Sequence, residues 1–197
     1  MVNTTILPVD CDNLFPYICP MKHISILPLY DATLTSIDSS HQILTRVNDF
    51  MKYQGKPAYY IVEIVGVEKN IKLNNGLYNI HTDKTISEIS KTDVIVIPLL
   101  CGDFPKAISK NKKYTEWIIA QYHNNAEIVC LCVGSFFLAS TGLLKNKKCA
   151  VHWAAKNEFK GMFPEVNLID DAIITDESGI YTCAGGYSYL NLLLYIM

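Results

Sequence analysis

Cys132 and His152 are the two side chains of this chain whose types and placement could combine in nucleophilic chemistry. Cys132 lies in Cys132-Val133-Gly134-Ser135. Before it runs Ile128-Val129-Cys130-Leu131, with the composition of a buried parallel strand, and after it an apolar stretch from Phe136 to Leu143 that reads as a helix stopped at Gly142. A thiol on such a strand-to-helix elbow faces free backbone amides and the positive end of the helix, which favour thiolate over thiol. The amides of Val133 and of the Cys101-Gly102 loop could then act as oxyanion donors, with His152 as base or ion-pair partner. The competing reading makes Cys132 a small buried hydrophobe and His152 a satisfied residue at a helix start, and the two residues alone do not separate these readings.

Positioning such a site requires a sheet, and the chain supplies one in alternating segments. Ile24 to Leu29 is expected as the first strand, Tyr30 to Ser36 as a loop, and Ile37, Ile43, Leu44, Val47 and Phe50 as one face of a helix ending near Lys52. Ala58 to Gly66 follows as a strand, and Asn74-Asn75-Gly76 marks a hairpin between short β segments. Thr85 to Glu88 has the capping-box pattern, Asp93 to Leu100 is the most apolar strand and so central, and Lys113 to Tyr122 is an amphipathic helix. After the elbow come a helix to Phe159 and β segments at Val166 to Ile169, Ile173 to Thr175 and Ile180 to Thr182. The alternation predicts an α/β fold with a doubly wound, mainly parallel sheet flanked by helices, its site beyond the C-terminal strand ends. That edge gathers the loop reaching Ser36, the Cys101-Gly102 loop, the Cys132 turn and the segment holding His152.

Composition narrows the function. Of 197 residues half are hydrophobic and 18% charged, which fits one globular domain. The net charge of −2 and a single arginine, Arg46, argue against nucleic-acid binding by this segment. Seven irregularly spaced cysteines read as reduced thiols of a cytoplasmic protein. No apolar run reaches membrane-spanning length and no signal peptide is evident. His23, His41, His81 and His123 show no ligand spacing, so neither metal nor cofactor is expected. Residues 1–21 read as a leader outside the domain, with Met21 a candidate natural start, and the apolar end Leu190 to Met197 reads as a truncation before a further segment.

The text GDFPKAI, EIVCLCVGSFFLASTGLLKNKKCAVHW, FPEVNLIDD and GIYTCAGGYSYLNLLLY resembles the ThiJ/PfpI superfamily, the class I glutamine amidotransferase-like fold, and specifically the sensor half of GlxA-type AraC transcriptional regulators. Cys132-Val133-Gly134 matches the family's cysteine elbow, Gly142-Leu143-Leu144 its GLL, and His152-Trp153 its HW. The resemblance covers residues 22–197 and implies a flavodoxin-like three-layer sandwich. It also implies departures. The acidic partner that activates the family's nucleophile falls near Ser36 here, with Asp31 and Asp38 to either side, and the histidine that follows the cysteine in protease-like members is Val133.

The expectation is therefore a ligand-sensing and dimerising domain, homodimeric, binding a small polar metabolite through Ser36, Cys101, Gly102, Cys132, Val133 and His152, and touching DNA only through a C-terminal helix-turn-helix domain outside this sequence. The alternative is a cysteine-dependent hydratase, glyoxalase or amidase using Cys132 and His152; a third reading is a redox sensor acting by Cys132 oxidation.

Overall fold

Parallel strands that carry helices on both faces must be apolar throughout, and the strand at the middle of this chain is. In the computed structural model, which describes residues 21–197, Val94–Ile97 is the four-residue strand β6 and every one of its side chains is buried. It sits between β1 (Lys22–Ile26) and β7 (Glu127–Cys130) in a seven-stranded sheet. Outside β1 lie β2 (Tyr60–Gly66) and the two-residue β5 (Lys84–Thr85); outside β7 lies β11 (Ile180–Cys183), then β10 (Ile174–Glu177). All neighbours pair in parallel except β10 and β11, an antiparallel hairpin at one edge.

The helices follow the expected alternation with shifted ends. Helix α1 is Leu34–Tyr53, burying Ser36, Ile37, Ser40 and Leu44. Ser36 therefore lies in the first turn of a helix and not in a loop, and β1 ends at Ile26 while Leu27 and Leu29 are buried as non-strand backbone. Helix α2, Phe104–Lys110, was not expected from the pattern; Asp103 caps it by accepting from the amide of Lys106 at 2.9 Å, and Pro105 occupies its first turn. Helix α3 is Thr115–His123, α4 the short Ser135–Ser140, α5 Lys156–Met162 and α6 Ser188–Tyr195. A separate two-stranded pair, β8 (Lys148–Cys149) with β9 (Asn167–Leu168), links the last third of the chain.

The Asn74-Asn75-Gly76 turn joins β3 (Asn70–Leu73) to β4 (Tyr78–His81), an antiparallel hairpin that stands outside the main sheet. All three turn residues have positive φ, 48°, 55° and 91°, a conformation that asparagine and glycine tolerate best. The capping box at Thr85 and Glu88 forms as the sequence predicts, on a single turn of 3-10 helix.

Three contacts fix the elbow against this frame. Phe136 of α4 stacks on Phe104 of α2 with ring centroids 3.8 Å apart, and Phe159 of α5 meets it edge-on. Gly134 packs so closely under the loop after β6 that a Cβ there would fall on the carbonyl oxygen of Pro98. Of the leader expected over residues 1–21, all but Met21 lies outside the described residues.

Candidate functional site

The elbow begins where β7 ends. The amide of Leu131 donates to Ile97 O at 2.9 Å, which carries the chain one residue beyond the ladder, and Cys132 then turns with φ of +49° before a 3-10 turn runs into α4. Left-handed backbone in a non-glycine residue costs on the order of 1 kcal/mol and is held only when its surroundings define it. Those surroundings come from the next strand: the Cys132 amide donates to Cys183 Sγ at 3.3 Å.

Cys132 is only 2% exposed. Burial pushes its thiol up; the amides of Val133 and Gly185, both favouring the thiolate, offset this only in part, and the Cys101 thiol adds to the upward shift. The expected bias of this turn towards thiolate is thus reversed, because α4 has only six residues and the sulfur is packed away from water. Three further thiols share the interior. Cys130 is raised well above its ordinary value by complete burial, and Cys149 and Cys183 are each pushed up by burial to about 12.

Ser36, expected where an acidic partner would stand, is 1% exposed and engaged locally. Its hydroxyl donates to Thr33 O at 2.9 Å and accepts from the Leu99 amide at 3.2 Å and from the Thr33 hydroxyl at 2.9 Å. It clamps the start of α1 to the segment after β6. His152 caps the following 3-10 turn, its Nδ1 accepting from the Ala154 amide at 3.2 Å, with its ring 5.4 Å from that of Trp153. No hydrogen bond joins His152 to Cys132 among the described residues, and the groups that shift Cys132 do not include it.

Beside the elbow a cavity of about 470 Å³ opens between two walls. One wall is Asp31 to Thr35 together with Cys101 and Gly102; the other is the tip of the β3–β4 hairpin, with Asn74, Asn75 and Tyr78. The first wall is fixed by backbone bonds, Cys101 N to Asp31 O at 2.8 Å and Thr33 N to Leu99 O at 2.9 Å, and by Lys110, which reaches both Asp31 oxygens at 2.8 and 2.7 Å. Cys101 is exposed, and burial, then Asp31, push its thiol up. Of the residues the sequence nominated, Cys101 and Gly102 line this cavity, Ser36 secures its wall, and Cys132 does not line it but is buried close enough for the Cys101 thiol to act on it. The segment around His152 instead borders a separate recess of about 220 Å³ with Val151, Trp153, Lys156 and Gly185.

Sequence reasoning missed the hairpin wall, Cys183 and Gly185. The Asn-Asn-Gly turn was legible, but nothing in its spacing placed it over the loop after β1. Among the described residues no three His, Cys, Asp or Glu side chains converge where they could hold a metal ion, and no helix is long and apolar enough to cross a membrane.

The model of the DJ-1/PfpI family matches residues 44–197. The chain belongs to the DJ-1/PfpI family. It is 24% identical over 176 residues to the HTH-type transcriptional regulator GbdR of Pseudomonas aeruginosa, covering 89% of this chain and 46% of that protein. Over 60 residues, 30% of this chain and 18% of the relative, it is 37% identical to the HTH-type transcriptional regulator GlxA of Rhizobium meliloti. Among solved structures, an AraC family transcriptional regulator from Pseudomonas putida superposes with a TM-score of 0.66 at 13% identity, covering 90% of each chain. This DJ-1/PfpI chain spans about half the length of the GbdR relative it matches.

Proposed function

We propose that this chain is the sensing and dimerising part of a cytoplasmic, AraC-type transcriptional regulator that binds a small polar metabolite in the cavity beside Cys101. Residues 22–197 would form the sensor, and a helix-turn-helix domain beyond this sequence would contact DNA. The observation that carries the reading is a cavity at Cys101 and Gly102 lined by Asp31, Thr33, Thr35, Asn74, Asn75 and Tyr78, while Cys132 nearby is buried with its thiol pushed up and Ser36 is a serine engaged in local hydrogen bonds. The similarity to HTH-type transcriptional regulators supports the same reading. Exposed apolar side chains on and after α6, Leu194, Tyr195 and Met197, support self-association through that end of the fold.

Sensing requires that the metabolite bind two arrangements of the regulator with different affinity. In this reading Cys132 and Val133 support the fold behind the site without doing chemistry, and His152 stands apart from it. The enzyme alternative needs a thiolate at Cys132, and burial works against it.

The test is DNA binding by the natural full-length protein. Sequence-specific binding that changes when a metabolite is added, and that loses the response in a Thr33→Val variant, is the expected result. A reading frame that stops at Met197, or turnover of a carbonyl or nitrile substrate abolished by Cys132→Ala, overturns the proposal.

A further inference from the structure

The cavity's lining says more than that its ligand is polar. Its polar side chains are the hydroxyls of Thr33, Thr35 and Tyr78, the carboxamides of Asn74 and Asn75, and one carboxylate, Asp31, beside the apolar Ala32 and Leu34 and the Cys101 thiol; among the described residues no lysine, arginine or histidine lines it. Asp31 already has both oxygens on the Lys110 ammonium. An anionic ligand would thus meet no free positive charge, and a cationic one would compete with an ion pair already made. Hydroxyls and carboxamides both donate and accept, which suits a neutral molecule that does the same at several positions. Tyr78 is 41% exposed and adds an aromatic surface for the C–H side of such a molecule.

The two walls differ in how they are held. The Asp31 to Thr35 wall is bonded to the segment after β6. The hairpin tip is held by its own ladder, ending at the Leu73–Tyr78 pair, and by the Leu77 amide on Asn74 O. Its root is better secured, with Ile71 and Leu73 buried and the Thr82 amide and hydroxyl bonded to Lys69 O and Glu68 O at 3.0 Å each. No side-chain hydrogen bond ties Asn74, Asn75 or Tyr78 to the opposite wall among the described residues.

Resting on the sensor reading above, we infer that the cavity takes a neutral polyhydroxylated small molecule, of the polyol or monosaccharide class, held between the fixed wall and the hairpin tip, with Asn75 and Tyr78 setting specificity. The ligand supplies the hydrogen bonds that the two walls lack between them.

Ligand-observed NMR and thermal melting of the full chain test this with one carbon scaffold in three charge states: neutral glucose and mannitol, anionic gluconate, and cationic glucosamine. Saturable binding of a neutral probe is expected, weakened several-fold to about tenfold by Asn75→Ala or Tyr78→Ala, as loss of one or two hydrogen bonds predicts. Binding only of gluconate or glucosamine, or of no probe, overturns the class. Neutral binding that Thr35→Val weakens and both hairpin variants leave unchanged overturns the hairpin's part. DNA binding measured alongside separates the two readings: polyol binding without any effect on DNA defeats the regulator proposal and leaves this one standing, and the reverse result does the opposite.

Discussion

The backbone amide of Cys132 donates to Cys183 Sγ across 3.3 Å, so the left-handed residue of the elbow is held by a thiol from the neighbouring strand. Cys183 is fully buried and its thiol is pushed from 9.0 to about 12, burial being the main cause. A raised folded-state pKa means that the protonated form is favoured by folding. The associated stability is complete below about 9 and is lost as pH climbs towards 12. Cys183→Ala should therefore cost about 1–2 kcal/mol at pH 7, from the lost hydrogen bond and packing. It should also make the decline in stability above pH 9 shallower by about 1.4 kcal/mol per pH unit. Urea unfolding at pH 7, 9 and 10.5 measures both; an unchanged alkaline slope would contradict this account of the thiol.

Reactivity should rank the thiols by access. Cys101 is exposed at the cavity, whereas Cys132, Cys130, Cys149 and Cys183 are buried with thiols pushed up. Iodoacetamide at pH 7.5 followed by peptide mass spectrometry should modify Cys101 at least about tenfold faster than Cys132, since burial pushes both thiols up but only Cys101 is open to the reagent. Faster modification of Cys132 would revive the enzyme alternative.

How much of this was readable in the sequence depends on whether the cause is local. The Asn74-Asn75-Gly76 turn, the Thr85–Glu88 capping box and the apolar β6 each form from adjacent residues, and each lies where the pattern places it. Helix α2 carried its own signal in Asp103 and Pro105, but a seven-residue helix shows little periodicity. The surroundings of Cys132 were not readable, because the Gly185 amide acts on its thiol and Cys183 Sγ accepts from its backbone amide, from the loop beyond β11 and from β11, about fifty positions later. Nor was the split of the nominated site. Four loops at one sheet edge share a direction, yet His152 turns its Nδ1 to its own helix start, and only Cys101 and Gly102 reach the cavity.

Gly134 gives a direct test of the elbow's packing. The Cβ of Gly134→Ala would meet the Pro98 carbonyl and the Ile97 side chain, and a backbone carbonyl has no rotamer by which to yield. The turn and the segment after β6 must then separate, at a cost of about 1–3 kcal/mol by analogy with overpacked cores. A drop in the urea midpoint with an unchanged m-value is the expected readout. Because Leu99 in that segment donates to Ser36, amide exchange at Leu99 should also quicken.

At the opposite end of the strands, His23 and Glu63 form a partly buried pair, Nε2 to Oε2 at 2.7 Å, and Lys84 reaches the other carboxylate oxygen at 3.1 Å. Burial alone would raise the Glu63 carboxyl, but the hydrogen bonds from His23 and Lys84 outweigh it and hold the group below its usual range. A depressed folded-state pKa contributes stability that is present above the ordinary value of 4.5 and disappears as pH falls through the folded value. Glu63→Gln keeps the shape and removes the charge, so it should destabilise the chain by about 1–2 kcal/mol at pH 7 and by progressively less below pH 4.5. The two stability curves should converge in acid. Parallel curves from pH 7 to pH 3 would show that Glu63 acts by packing rather than by its charge.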